Sequence, residues 1–271
     1  MPARLPATKI PSLPATSILQ MELPNRLSRL LVFLVAGAIV CAGCGRRPAP
    51  DDRSALDLSL SVGNGREVFA TLYPVSNPSP PGVILVSAPG AERTAWAPLA
   101  VRAQRAGIMG LAIDLRRHNG AAARVRQFGP EDFAVAYDAF RAAKAELVRR
   151  GADPNDLGMI GASQAANLVL DYAVTDSQVQ VVVLVSPWLE WKGIAAESLI
   201  ARFGKRPSLL VATEGDSYAA SSCETLAAAA PGFCEQRRYP GGAHGADIFA
   251  VSASAVEQVI HWLTTVLESA S

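Results

Sequence analysis

Charge is scarce in this chain. Of its 271 residues only 18% are Asp, Glu, Lys or Arg, against about 25% in an average soluble domain. The 25 basic and 24 acidic residues nearly cancel, leaving a formal charge of +1. A dedicated nucleic-acid binder, which needs a basic stripe, is excluded on that balance. Aromatic residues are also few, at 6%, so the apolar half of the chain is mostly Ala, Val and Leu. Three His and four Cys leave little for a metal site, and no cofactor is expected. Disorder is excluded as well, because such a chain buries enough apolar surface to offset its conformational entropy.

Long apolar runs are missing too. Leu30 to Ala42 reads LLVFLVAGAIVCA, without a charge; at about 13 residues it spans only ~20 Å as a helix, short of a ~30 Å hydrocarbon core. It has the length of a signal-peptide core, with Arg26 and Arg29 before it and small residues after it. In VCAGC, Ala42 and Gly43 directly precede Cys44. That pattern resembles a bacterial lipoprotein signal, in which the Cys is acylated and becomes the mature N-terminus. Leu usually stands three residues before that Cys, and here the position is Cys41. An ordinary signal peptide or a single anchor is the other reading. Residues 1–20 are rich in Pro, whereas MELPNRLSRLLVFL from Met21 has signal proportions, which points to Met21 as the start. Residues 1–43 are therefore expected to be an extension and signal, and 44–54 a polar tether to a membrane. The expected location is the bacterial envelope, on the periplasmic side. Outside the cytoplasm Cys223 and Cys234, ten residues apart, read as a disulfide, with two buried thiols as the alternative.

From residue 55 to 271 the pattern is that of one domain. LDLSLSV (56–62) and EVFATLY (67–73) alternate polar and apolar residues around Gly63, Asn64 and Gly65, which predicts an antiparallel hairpin. VILVS (83–87), IMGLAID (108–114), LGMIG (157–161), VQVVVLVS (179–186) and SLLVAT (208–213) are short apolar runs, the mark of strands buried on both faces. EQRRYP (235–240) is more polar and so nearer an edge. Helices are predicted over 94–106, 130–150, 164–174 and 248–268, the second with a Pro near its start and Gly151 just past its end. Strands alternating with helices indicate βαβ units and a mainly parallel sheet with helices on both faces. The basic stretch at 141–150 reads as a solvated helix face.

LGMIG runs directly into Gly161, Ala162, Ser163, Gln164 and Ala165 and then a helix. Small residues flank the Ser because a strand-to-helix turn this tight has no room for side chains beside it. Asp216 lies just past SLLVAT and His244 just past EQRRYP. Ser, then Asp, then His, each at the carboxyl end of a strand, is an order suited to nucleophilic catalysis. A serine hydroxyl is a poor nucleophile until a neutral imidazole takes its proton, and the carboxylate fixes the imidazole tautomer. Two of the three also have a plainer reading. Ser163 and Asp216 could be N-caps, and Glu190 is a reserve acid.

Over residues 65–268 the chain resembles the α/β-hydrolase superfamily, nearest its dienelactone-hydrolase-like branch. The resemblance rests on PGVILVSAPGAERTAWAPLA, GLAIDLRRHNG, GASQAAN, VVLVSPWLEWKG, VATEGDSYAA and YPGGAHGADIF. It implies an α/β-hydrolase fold without a large lid, Ser163 as nucleophile, His244 as general base and acid, and Asp216 as the orienting acid. It also implies an oxyanion hole with the N–H of Gln164 as one donor. Family members usually carry a His where this chain has Ser87, and commonly take the second donor two residues later, where Pro89 has no N–H. Ala88, Gly90, Arg93 or Thr94 would have to substitute.

Trp188 and Trp191 either wall an apolar pocket or pack beneath their loop. His118 either lines the pocket or lies on a surface loop, and His261 reads as structural. The expectation is a monomeric, lipid-anchored serine hydrolase acting on a small ester, or on a thioester, amide or lactone. The alternative is a catalytically silent hydrolase fold serving as a binding or scaffold lipoprotein. A redox role for the cysteines has little support.

Overall fold

The structure, a computed structural model, describes residues 54–63, 65–115, 128–129 and 132–268. The signal-like segment, Cys41, Cys44 and His118 lie outside the described residues. Eight strands form one sheet: β1 (Leu56–Val62), β2 (Arg66–Tyr73), β3 (Gly82–Val86), β4 (Met109–Ile113), β5 (Leu157–Ala162), β6 (Val179–Val185), β9 (Ser208–Thr213) and β10 (Cys234–Tyr239). Their spatial order is β1-β2-β4-β3-β5-β6-β9-β10. The β1–β2 hairpin joins antiparallel to β4, and all other pairings are parallel. The polar β10 is the edge strand, as its composition predicts.

The apolar runs are buried on both faces because each divides its side chains between two cores. In β3, Ile84 and Val86 enter one cluster while Val83 and Leu85 enter the other. In β6, Val182 and Leu184 part from Val181, Val183 and Val185 in the same way. One face is covered by α1 (Ala97–Arg105), α6 (Asp247–Val251) and α7 (Ala253–Glu268). The other is covered by α2 (Phe133–Arg149), α3 (Gln164–Thr175), α4 (Ala196–Phe203) and α5 (Ser217–Ala229). Fully buried side chains such as Leu85, Leu111 and Phe140 each contribute about 1.5–3 kcal/mol by leaving water.

Two expected helices are broken, each for a local reason. The 94–106 helix begins as a 3-10 turn at Arg93–Trp96 and becomes α-helical only at Ala97, with a Pro in its first turn. Pro98 has no N–H for the bond that a continuous helix would need there. The last helix is interrupted at Ser252, whose extended backbone ends α6 while its hydroxyl accepts the Ala255 N–H at 3.1 Å and caps α7.

Residues 190–203 form elements that the sequence does not suggest. The two-residue strands β7 (Glu190–Trp191) and β8 (Ile194–Ala195) pair around Lys192 and Gly193, both at positive φ, the signature of a tight hairpin turn. Helix α4 follows at once. The expected disulfide is not formed: Cys223 and Cys234 are free thiols. Cys223 is buried among apolar side chains on the inner face of α5, where desolvation pushes its thiol up to about 12. Burial also raises Cys234, which hydrogen-bonds to Ser208. The alternative of two inert thiols is the one the structure has.

A single residue, Ser163, connects β5 to α3. Ser163 sits at φ 54°, ψ −126°, a region that costs a non-glycine residue about 1–3 kcal/mol. Its N–H donates to the Val185 carbonyl at 2.8 Å, tying the turn to β6. A Cβ on Gly161 would lie 2.6 Å from the Ala165 carbonyl oxygen and 2.8 Å from the Ala166 Cα. Neither atom belongs to a flexible side chain, so only glycine fits without moving α3.

Gly161→Ala should therefore displace the start of α3 and destabilise the fold by about 1–3 kcal/mol, as overpacking does. Urea unfolding of the two proteins measures this, and an unchanged midpoint contradicts it. At the opposite end of β5, Asp156 is 6% exposed and its Oδ1 has no partner among the described residues. Burial, with the Asp153 carboxylate beside it, pushes its pKa from 3.8 up to about 6. A carboxyl that binds its proton more tightly when folded lowers stability as pH rises through that window. Asp156→Asn should thus stabilise the protein by on the order of 1–3 kcal/mol at pH 8 and by nothing near pH 3.5. Thermal melting at the two pH values tests the sign; equal shifts at both would refute it.

Candidate active site

The strand order reverses around β3, with β4 on one side and β5 on the other. The chain leaving β3 enters α1 on one face, and the chain leaving β5 enters α3 on the opposite face. Their connections diverge, opening a crevice at the carboxyl ends of the strands, where open α/β sheets bind ligands.

Ser163, Asp216 and His244 come together at that edge. The Ser163 Oγ lies 2.8 Å from His244 Nε2, across 81 residues of sequence. His244 Nδ1 lies 2.6 Å from Asp216 Oδ2. A carboxylate on Nδ1 places the imidazole proton there, leaving Nε2 to accept from the serine hydroxyl. Ser163 is 8% exposed, so its hydroxyl is sheltered. The His244 side chain is 47% exposed and the Asp216 side chain 15%.

The plainer roles weighed for these residues coexist with the catalytic geometry. Asp216 is the N-cap of α5 and accepts the Ala219 N–H at 3.4 Å through Oδ1, leaving Oδ2 for His244. Ser163 is the N-cap position of α3, but its side chain caps nothing. Glu190, the reserve acid, is exposed, and its Oε1 accepts the Gly193 N–H at 2.6 Å in the β7–β8 turn. It serves the hairpin.

After β3, the Ala88 carbonyl accepts the Ala91 N–H at 2.9 Å, and Gly90 has φ 96°. Pro then Gly at the two central positions, with glycine at positive φ, is a type II turn. Pro89 thus has a structural reason to be there. Among the described residues the N–H groups of Ala88 and Gly90 have no hydrogen-bond partner, and that of Gln164 opens α3, where no intrahelical acceptor exists. Arg93 does not offer its guanidinium to a substrate. Nη1 binds Asp114 at 2.9 Å, Nε binds Thr71 at 2.8 Å and Nη2 binds Asp57 at 3.1 Å. The Arg93 N–H also donates to Asp114 Oδ1 at 2.6 Å. This side chain anchors the far end of the loop after β3 to the end of β4. The Thr94 hydroxyl donates to Glu92, at 3.5 Å.

Of the two tryptophans, Trp191 is buried against Phe128 and Phe133, with ring centroids 5.9 and 5.5 Å away. It packs beneath its loop. Trp188 is half-buried and meets Tyr218 edge to face at 6.0 Å. Its peptide is held by Asn167 of α3, which donates to the Trp188 carbonyl at 2.9 Å and accepts the Trp188 N–H at 3.3 Å. Tyr218, two residues past the triad acid, is 52% exposed. His261 is exposed on α7, among Arg102, Arg237 and Glu257.

Sequence reasoning missed Asn167, Ser186, Thr213 and Tyr218. Thr213 and Ser186 stand at the ends of strands it had placed, but a Ser or Thr at a strand end carries no signal by itself. Among the described residues no group of three or more His, Cys, Asp or Glu is arranged to hold a metal ion.

No protein-family model matches the sequence, and no curated protein does either. Solved structures do. A dienelactone hydrolase from Anabaena variabilis superposes with a TM-score of 0.61 at 19% identity, covering 80% of this chain and 97% of that one. A thermostable carboxylesterase cloned from a metagenomic library gives 0.57 at 16% identity, covering 80% and 89%. The esterase of Pyrobaculum calidifontis gives 0.59 at 16% identity, covering 79% and 86%. At these identities the likeness speaks to architecture, and with the mostly parallel eight-stranded sheet it shows that the chain has the α/β-hydrolase fold.

Proposed function

We propose that the protein is a serine hydrolase cleaving small carboxylic esters through an acyl-enzyme on Ser163. The observation that carries this reading is the continuous chain from Ser163 Oγ through His244 to Asp216, raised on a strained strand-to-helix turn. Esterases and a dienelactone hydrolase among the structural neighbours agree with it.

In this mechanism Ser163 Oγ attacks the ester carbonyl carbon while His244 Nε2 takes the hydroxyl proton. Asp216 stabilises the imidazolium that results. The negative charge on the former carbonyl oxygen is met by the Gln164 N–H at the positive end of α3 and by the Ala88 N–H. As the tetrahedral intermediate collapses, His244 returns the proton to the departing alkoxide. Water then repeats the sequence on the acyl-serine and releases the acid. Every group required belongs to the chain. The edge-to-face pair of Trp188 and Tyr218 supplies an apolar wall for one arm of the ester.

Pro89 favours a second reading, a fold that binds such molecules without turning them over. Loss of one oxyanion donor costs about 10²–10³ in rate, which slows catalysis but does not abolish it. The lipid anchor at Cys44 and an envelope location belong to the same proposal, supported by the apolar run that precedes Ala42, Gly43 and Cys44.

A fluorophosphonate probe should label the wild-type protein at Ser163 and leave Ser163→Ala unlabelled. Hydrolysis of short-chain nitrophenyl esters should fall by on the order of 10⁴–10⁶ in Ser163→Ala and in His244→Ala. No wild-type activity, or activity that survives in His244→Ala, would leave only the binding reading. Tyr218→Ala should raise KM several-fold for esters with an apolar arm and leave kcat near wild type; a fall in kcat alone would place the substrate elsewhere. Cys44→Ser expressed in a bacterium should move the protein from the membrane to the soluble fraction.

A further inference from the structure

Two buried hydroxyls outside the triad hold the two peptide groups that flank His244. Thr213, the last residue of β9, donates its Oγ1–H to the Ala243 carbonyl at 2.8 Å. Ser186, directly after β6, accepts the Gly245 N–H on its Oγ at 3.0 Å. Both side chains are essentially inaccessible to water. One tie lies just before the histidine and the other just after it.

The loop they hold is rich in glycine, with Ala243 and Ala246 packed against the apolar cluster on either side of the histidine. Gly241, Gly242 and Gly245 surround the histidine, the first and last at φ 99° and 60°, and glycine gives up more backbone freedom on ordering than any other residue. The imidazole is half exposed, so side-chain packing does not fix it. A third tie reaches the loop further back, where the Gly215 N–H donates to the Gly241 carbonyl at 2.7 Å. Ser186 is itself held at φ 48°, and its N–H donates to the Val211 carbonyl at 2.7 Å. A non-glycine residue kept in that region marks a conformation imposed by its surroundings. Here the conformation turns its hydroxyl onto the histidine loop.

We infer that Ser186 and Thr213 are positioning residues, which set the reach of His244 Nε2 to Ser163 by fixing the peptides on either side of it. The effect on turnover rests on the hydrolase reading above; the effect on the His244–Asp216 contact does not. Removing either hydroxyl leaves a buried peptide group without its partner and lets the glycine-rich loop drift. A displacement of about 1 Å at a reacting group costs about 100-fold in rate.

Thr213→Val, nearly isosteric, should lower kcat by about 10–100-fold with KM little changed, and Thr213→Ser should restore it. Ser186→Gly relieves the positive φ but has no acceptor, and should be impaired to the same degree as Ser186→Ala. The second readout needs no substrate. By proton NMR, the His244 Nδ1–H should exchange with water faster in Thr213→Val and Ser186→Gly than in wild type, and return to the wild-type rate in Thr213→Ser. Wild-type kcat and exchange in both Thr213→Val and Ser186→Gly would overturn the inference, as would Ser186→Gly matching wild type while Ser186→Ala does not. If the wild type is inactive but exchange responds as described, the positioning role stands and the hydrolase reading fails. Should Thr213→Val not fold, the two Ser186 variants carry the same test.

Discussion

The approach of Gly161 to the backbone of α3 governs the rest of the site. With the Ala165 carbonyl 2.6 Å from where a Cβ would be, the helix can begin one residue after Ser163. That residue must then turn at φ 54°. The turn carries the hydroxyl off the sheet edge and puts the Gln164 N–H at the positive end of a helix of 12 residues. The strain is offset nearby: all six residues of β5 are buried, the strand pairs on both sides, and the Ser163 N–H is bonded to β6.

The sheet supplies the remaining partners by topology. The loop carrying Ala88 leaves β3 and Ser163 follows β5, on opposite faces, while Asp216 and His244 arrive from β9 and β10, further along the same edge. Acid and base loops touch through their backbones, since a Cβ on Gly215 would lie 2.8 Å from the Gly241 carbonyl oxygen. Asp216 therefore meets His244 from a fixed base, with one carboxylate oxygen on α5 and the other on the imidazole.

Much of this was legible in the sequence, and the exceptions share a cause. Runs such as VQVVVLVS declare themselves because strands buried on both faces need apolar residues at every position. The order Ser163, Asp216, His244 is legible because each follows such a run. Residues 190–203 are not, because two-residue strands and an eight-residue helix are too short to show a period. Trp188 and Trp191 look alike in sequence, yet one is half-buried beside Tyr218 and the other is stacked in the core; only packing separates them. Cys223 and Cys234 have a spacing that suits a bridge, but spacing says nothing of which way α5 turns its buried face. Ser186 and Thr213 are invisible for another reason: they act on backbone atoms, so no partner residue type betrays them.

The loop after β3 shows how a lost donor and a well-held site can coexist. Pro89 has no N–H to offer, but it also fixes φ at the first central position of the Ala88–Ala91 turn, with Gly90 completing it. The far end of the loop is clamped by Arg93, which spends its guanidinium on Asp114, Thr71 and Asp57. Burying Asp114 costs desolvation that a surface pair avoids. The Arg93 bonds, with the proline, leave the loop few conformations, which would hold the Ala88 N–H in one defined place. A donor held in place beforehand needs no reorganisation when charge develops on the substrate oxygen. Stiffness of the turn thus compensates in part for the donor that Pro89 takes away, and the same residue that weakens the site in composition helps to order it in space.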